Sequence, residues 1–198
     1  MRAYTITIIA ASLGFAAAGQ TPPKLPNPYH TPSASNAPRV VARPDGATLQ
    51  IPAGFDIQEF ASGFERPRYM IQGPSGEILL SDSMKAGSVY ALVDRNKDGR
   101  ISSEEQTQIA SNLDRPFGLA LWKDYLYIAE TTSVKRYKYD SKKLATGPGE
   151  EVVSLKEAPS GHWTRTILFD AKGEKFYLGV GSQSNVSPGE PEIRAAIT

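Results

Sequence analysis

From Leu49 onward the chain alternates short apolar runs with turn residues. Phe55–Ala61, Arg68–Gln72, Glu77–Ser81, Ser88–Val93, Gln106–Ala110, Phe117–Trp122, Tyr125–Ala129, Val134–Tyr139 and Glu151–Leu155 read as strands. Two more follow, Thr164–Phe169 and Lys175–Val180, joined by a turn over Asp170–Glu174 that carries Gly173. The polar loop Gly181–Asn185 closes that stretch. Many short strands at regular spacing predict an all-β sandwich, barrel or propeller.

An internal repeat chooses among these. Ala61-Ser62-Gly63-Phe64-Glu65-Arg66-Pro67 recurs as Ala110-Ser111-Asn112-Leu113-Asp114-Arg115-Pro116, 49 residues later. Each copy leads into a strand, a turn and a second strand, and residues 161–185 fit as a third copy. A period of about 40–50 residues with four strands per unit is the signature of a β-propeller, one unit per blade. Phe55–Ala61 then reads as the outermost strand of a blade whose other strands lie elsewhere in a closed ring. Only about three units are present, and Ile193–Thr198 falls inside the third. The expectation is the N-terminal part of a longer protein.

The blade reading also sorts the polar residues. Arg66, Arg115 and His162 fall on connections that enter innermost strands, whereas Asp82, Glu130 and Ser182–Asn185 fall on connections between the second and third strands. Both sets emerge on one face, near the axis where a propeller would bind a small ligand.

Ahead of Leu49 the pattern is different. Arg2 and the apolar run Tyr4–Ala16, followed by Ala16-Ala17-Ala18, read as a signal peptide over residues 1–18. The run is short for a membrane span. Residues 19–50 hold seven prolines and read as a linker or extended arm, ahead of a propeller domain over 51–198. The expected product is periplasmic or secreted, with no stable membrane insertion once the signal is cleaved. A net charge of +1 gives no electrostatic case for nucleic acid. The absence of cysteine excludes disulfides, zinc–thiolate centres and cysteine nucleophiles.

Two stretches carry candidate chemistry. Asp94-Arg95-Asn96-Lys97-Asp98-Gly99-Arg100-Ile101-Ser102-Ser103-Glu104-Glu105 matches the EF-hand loop at each position that pattern names. Side-chain oxygens from Asp94, Asn96, Asp98 and Glu105, with the Arg100 carbonyl, would hold Ca2+. A strand precedes the loop where a sensor has a helix, so the readings are a structural calcium site or an Asx-rich hairpin loop. His162 is one of two histidines, and its imidazole exchanges a proton near neutral pH. It is either a surface histidine or a catalytic base.

Gly161-His162-Trp163-Thr164-Arg165 followed by Val180-Gly181-Ser182-Gln183-Ser184-Asn185 resembles the sorbosone and aldose-sugar (pyranose) dehydrogenases that use pyrroloquinoline quinone. Pro52-Ala53-Gly54-Phe55 and Arg115-Pro116-Phe117-Gly118-Leu119 share the likeness, as does the soluble quinoprotein glucose dehydrogenase. The resemblance implies a six-bladed propeller with the quinone on its top face. It implies His162 as the general base, and hydride passing from a sugar C1 to the quinone and on to an external electron acceptor. It places Arg66, Arg115, Gln183 and Asn185 near the cofactor; for the two arginines the alternative is a salt bridge to Glu65 or Asp114 on the blade rim. Two departures stand out: the glucose-specific relatives carry aspartate where Gly161 and Ser182 stand here. Glu130 is then a candidate partner for His162. The alternatives are a calcium-dependent propeller lactonase and a non-catalytic binding propeller. The family's remaining cofactor ligands come from later blades, so this length alone is expected to be inactive.

Overall fold

The structure is a computed structural model that describes residues 24, 36–158, 160–185 and 189–198. The chain divides into two units, Met1–His30 and Thr31–Thr198. The expected signal peptide lies outside the described residues, and the fold is that of the second unit. Among the described residues no helix is long and apolar enough to cross a membrane.

The strands group into three antiparallel meanders. The first sheet is β1 (Pro67–Gln72), β2 (Ile78–Asp82), β3 (Gly87–Leu92) and β4 (Gln106–Leu113), paired in chain order. The second is β5 (Leu119–Trp122), β6 (Tyr125–Ala129), β7 (Ser133–Asp140) and β8 (Ala145–Ser154), likewise in order. The third is β9 (Arg165–Phe169), β10 (Phe176–Val180) and β11 (Ala196–Ile197). The innermost strands β1, β5 and β9 are neighbours, as the repeat predicts. At that seam the Gly118 N–H donates to the Arg165 carbonyl (2.9 Å), and a Cβ on Gly118 would stand 2.5 Å from that oxygen. The three sheets do not close a ring among the described residues.

The continuous apolar runs have a packing cause. In β6, Leu126 and Ile128 face the first sheet's Leu79, Val89 and Ala91, while Tyr127 and Ala129 face the third sheet's Ile167, Leu178 and Val180. A strand buried on both faces has no polar side to show. On the far side of the first sheet, Leu80 and Leu92 pack with Ile101, Phe64 and Tyr90. The outer face of the third sheet is bare: Leu168, Tyr177 and Ile197 are exposed.

Two strand expectations are corrected. Phe55–Ala61 is not a strand: among the described residues its only pairing is a parallel bridge between Ala61 and Ile101, and Phe55 and Ile57 lie open to solvent. An extended segment needs a neighbouring edge to become a strand, and none of the described edges receives it. The strand expected over Glu151–Leu155 instead begins at Ala145. Pro148 inside it is tolerated because β8 is an edge strand and can leave a missing N–H unpaired. The predicted turn after β9 is present, with the Gly173 N–H donating to the Asp170 carbonyl (3.0 Å).

Candidate functional site

The connections into the inner strands meet those between the second and third strands at one end of the sheets. The first two sheets bind them together in the same way. The Asp82 carboxylate ends β2 and accepts the N–H groups of Glu65 (3.1 Å) and Arg66 (2.6 Å). Glu130, just past β6, accepts the Asp114 N–H (2.7 Å) and pairs with Lys135 (2.7 Å). Ser83 N–H donates to the Arg66 carbonyl and Thr131 N–H to the Asp114 carbonyl, each at 2.9 Å. Both carboxylates are buried and carry the loop backbone. The register makes Arg66 equivalent to Asp114, so Arg115 is one residue extra. It sits at φ 51° with its N–H on the Met84 carbonyl (3.0 Å).

In the third sheet the equivalent position is Ser182, and what it holds is a side chain. The Ser182 hydroxyl lies 2.6 Å from His162 Nδ1, while the His162 N–H donates to the Ser182 carbonyl (2.9 Å). The imidazole itself is exposed. Glu130, the partner expected for His162, is spent on Asp114 and Lys135. Two glycines make this fit possible. Gly161 has φ +78°, and a Cβ there would run into the Gln183 backbone, its Cα at 2.6 Å. A Cβ on Gly181 would lie 2.6 Å from His162 Cβ. An aspartate at 161 would collide, which accounts for the glycine there.

Beneath this pair lies Arg165, fully buried. Its Nη1 donates to the carbonyls of His162 (2.8 Å) and Thr164 (3.0 Å), and its Nη2 to that of Ala158 (2.6 Å). Burial first, and the charge of Arg194 second, bring its pKa down to about 10, with Asp114 opposing. Arg194, also buried, donates to the Gly181 carbonyl (3.3 Å). The two guanidinium groups thus hold the chain on either side of the His162–Ser182 contact.

The same end carries cationic groups, Arg66 and Arg68 exposed and Arg115 half-buried. Arg68, not singled out from the sequence, lies over the rings of Phe117 (5.9 Å) and Trp163 (5.8 Å), which themselves meet edge to face. Arg66, Arg68 and Arg115 form no ion pair among the described residues. Gln183 and Asn185 are exposed on the loop that leaves β10. Unpaired guanidinium forks, amide donors and a flat aromatic surface beside an imidazole suit a planar polycarboxylate such as a quinone cofactor. The residues present therefore fit that group.

A family model described as TrAA12-like matches residues 49–196. The chain belongs to the TrAA12-like family. It is 28% identical over 152 residues to an uncharacterized protein of Borreliella burgdorferi, covering 71% of this chain and 37% of that one. Its fold is similar to the iodide structure of the Trichoderma reesei carbohydrate-active enzyme of family AA12. The TM-score is 0.56, with 20% identity over 66% of this chain and 34% of that one. It is also similar to the holo form of the pyranose dehydrogenase PQQ domain from Coprinopsis cinerea. There the TM-score is 0.50, with 18% identity over 61% of this chain and 29% of that one. The chain thus spans about a third of the length of these proteins.

The TrAA12-like domain carries its Asp94–Glu105 loop at the other end of the sheets, between β3 and β4. Asp94 accepts the N–H groups of Asp98 (3.2 Å) and Gly99 (2.9 Å), Asn96 accepts that of Asp98 (3.1 Å), and Asp98 accepts that of Arg100 (2.8 Å). These oxygens keep spare lone pairs. Glu105 does not: one oxygen accepts Arg95 N–H (2.7 Å) and Asn96 N–H (3.4 Å), the other Ser102 N–H (3.0 Å) and Ser102 Oγ–H (2.9 Å). Those bonds, the Ser102 N–H foremost, pull its pKa down to about 2. Among the described residues no group of three or more His, Cys, Asp or Glu side chains is placed to hold a metal. As folded, Glu105 caps the Ser103–Glu105 turn and would have to release it to meet an ion.

The missed residues, Ser182 as partner and Arg68 as free cation, had weak signals. The Asp82, Glu130, Ser182 series was legible in the repeat, but its meaning depends on which loop it touches.

Proposed function

We propose that this chain is part of a six-bladed, quinone-dependent sugar oxidoreductase. It would oxidise an aldose- or sorbosone-type sugar at C1 and pass the electrons to an external acceptor, outside the cytoplasm. The observation that carries the reading is an exposed imidazole held through Nδ1 by Ser182, on the same end of the sheets as three arginines that form no ion pair among the described residues. The chain's family and fold likeness to a pyranose dehydrogenase PQQ domain support it.

When bound, pyrroloquinoline quinone would supply the hydride acceptor. The chain's own residues divide the rest. Arg66, Arg68 and Arg115 would bind and orient the cofactor carboxylates, helped by Gln183 and Asn185. Trp163 and Phe117 keep the Arg68 fork in place. His162 would take the proton of the sugar hydroxyl, which a base within hydrogen-bond reach does with a gain of about 10²–10⁴. A lactonase-type hydrolase would need a metal-binding carboxylate cluster at this end; among the described residues no such cluster is placed to hold a metal, and Asp82 and Glu130 are buried on backbone amides and Lys135.

The test is reconstitution of the complete gene product with pyrroloquinoline quinone, followed by dye reduction with aldoses. His162→Ala should retain the quinone and lose turnover by roughly two to four orders of magnitude. Near-parental turnover would reduce His162 to a surface residue, and loss of the quinone would make it a binding residue instead.

A further inference from the structure

The hydrogen bonds around Ser182 fix more than the orientation of His162. A serine hydroxyl carries one proton and two lone pairs. Here that proton is committed: Ser182 Oγ–H donates to the Ser184 carbonyl (2.8 Å), an atom that can only accept. The 2.6 Å contact between Ser182 Oγ and His162 Nδ1 must then run the other way, with Nδ1–H donating to Oγ. A neutral imidazole with its proton on Nδ1 has its lone pair on Nε2.

We propose that Ser182 is a positioning residue that holds His162 in the Nδ1–H tautomer, so that Nε2 is the atom that accepts the substrate proton. The proton chain reads Nδ1–H to Ser182 Oγ, and Ser182 Oγ–H to Ser184 O. Its role in turnover rests on the reading of His162 as the base; the tautomer does not.

The surroundings give the relay a rigid frame. The His162 backbone is pinned on both sides, its N–H on the Ser182 carbonyl (2.9 Å) and its carbonyl on Arg165 Nη1 (2.8 Å). Gly181, the residue before Ser182, is held by Arg194 and pressed against His162 Cβ. The Ser182 side chain cannot turn its proton to Nδ1 without abandoning the Ser184 carbonyl. At the equivalent points of the other two sheets Asp82 and Glu130 bind loop amides, so this is the one sheet of the three in which that position meets a titratable ring. A carboxylate at 182 would fix the same tautomer but add a charge. The hydroxyl fixes it neutrally.

The experiment reads the tautomer directly. The ¹⁵N shifts of a uniformly labelled chain, recorded above the imidazole titration, distinguish a protonated Nδ1 from a protonated Nε2. The chain has two histidines, so His162→Ala assigns the signal. The expected result is Nδ1–H in the parent and in Ser182→Thr, and a shift toward Nε2–H in Ser182→Ala. In the quinone-loaded complete protein, Ser182→Ala should lower kcat about 10- to 100-fold with KM little changed, and Ser182→Thr should recover most of it. A parent His162 protonated on Nε2 overturns the proposal whatever the enzyme does. If Ser182→Ala does not fold, the parent and Ser182→Thr spectra still decide. The expected tautomer in a protein that oxidises no sugar would uphold the relay and sink the dehydrogenase reading alone.

Discussion

Gly161→Ala is the substitution that best tests how the His162 loop is built. Two separate costs meet at this position. Its φ of +78° lies in the left-handed region, where a Cβ costs roughly 1–2 kcal/mol. The new methyl would also press into the Gln183 backbone, whose Cα stands 2.6 Å away. Backbone cannot step aside as a flexible side-chain tip can, so overpacking adds about 1–3 kcal/mol. The sum is about 2–5 kcal/mol. For a chain of this size that lowers Tm by roughly 5–15 °C. Two reference variants separate the terms. Gly76→Ala has φ +90° and nothing within 4 Å, so it reports backbone strain alone. Gly181→Ala meets His162 Cβ at 2.6 Å without a positive φ, so it reports crowding alone. Thermal unfolding of the four proteins by circular dichroism measures the set. If Gly161→Ala costs no more than Gly76→Ala, the loop does not lie against Gln183 in solution and the geometry around His162 is wrong.

Three further outcomes are expected. Arg165→Ala removes the donors to three carbonyls, one of them buried, and should destabilise by roughly 2–4 kcal/mol in chemical unfolding; a loss under about 1 kcal/mol would show that those carbonyls find water instead. Glu105 has its pKa lowered to about 2, so its stabilising contribution is complete above the ordinary value of 4.5 and disappears as pH falls toward 2. The Tm of the parent should fall across that window, and that of Glu105→Gln should fall less; parallel curves would refute the assignment. Millimolar Ca2+ should raise Tm if the Asp94–Glu105 loop opens to the ion, and Asp94→Ala with Asp98→Ala should remove the increment; no response in the parent would leave the loop a self-capped hairpin.

Much of the fold was legible in the chain because its strands are short, apolar and punctuated. Tyr125–Ala129 matched a strand residue for residue, since a run buried on both faces carries its signal in composition alone. The repeated Glu65-Arg66-Pro67 and Asp114-Arg115-Pro116 segments placed the inner strands side by side, because equivalent loops in stacked meanders do equivalent work. Phe55–Ala61 was misread for the opposite reason. Its residues favour a strand, but a strand exists only where an edge accepts it, and pairing is a non-local fact. The site divides along the same line. Residue type marked His162 as a group that exchanges a proton near neutral pH, and only the family resemblance singled out Arg66 and Arg115 as cofactor contacts. They could not show that Glu130 is spent on Lys135, that Ser182 is the partner of the ring, or that Arg68 is the cation resting on Phe117 and Trp163. The first two depend on which side chains a hairpin and a paired strand bring opposite one another, and the third joins residues about 95 positions apart that only the packing of one sheet against the next brings into ring contact.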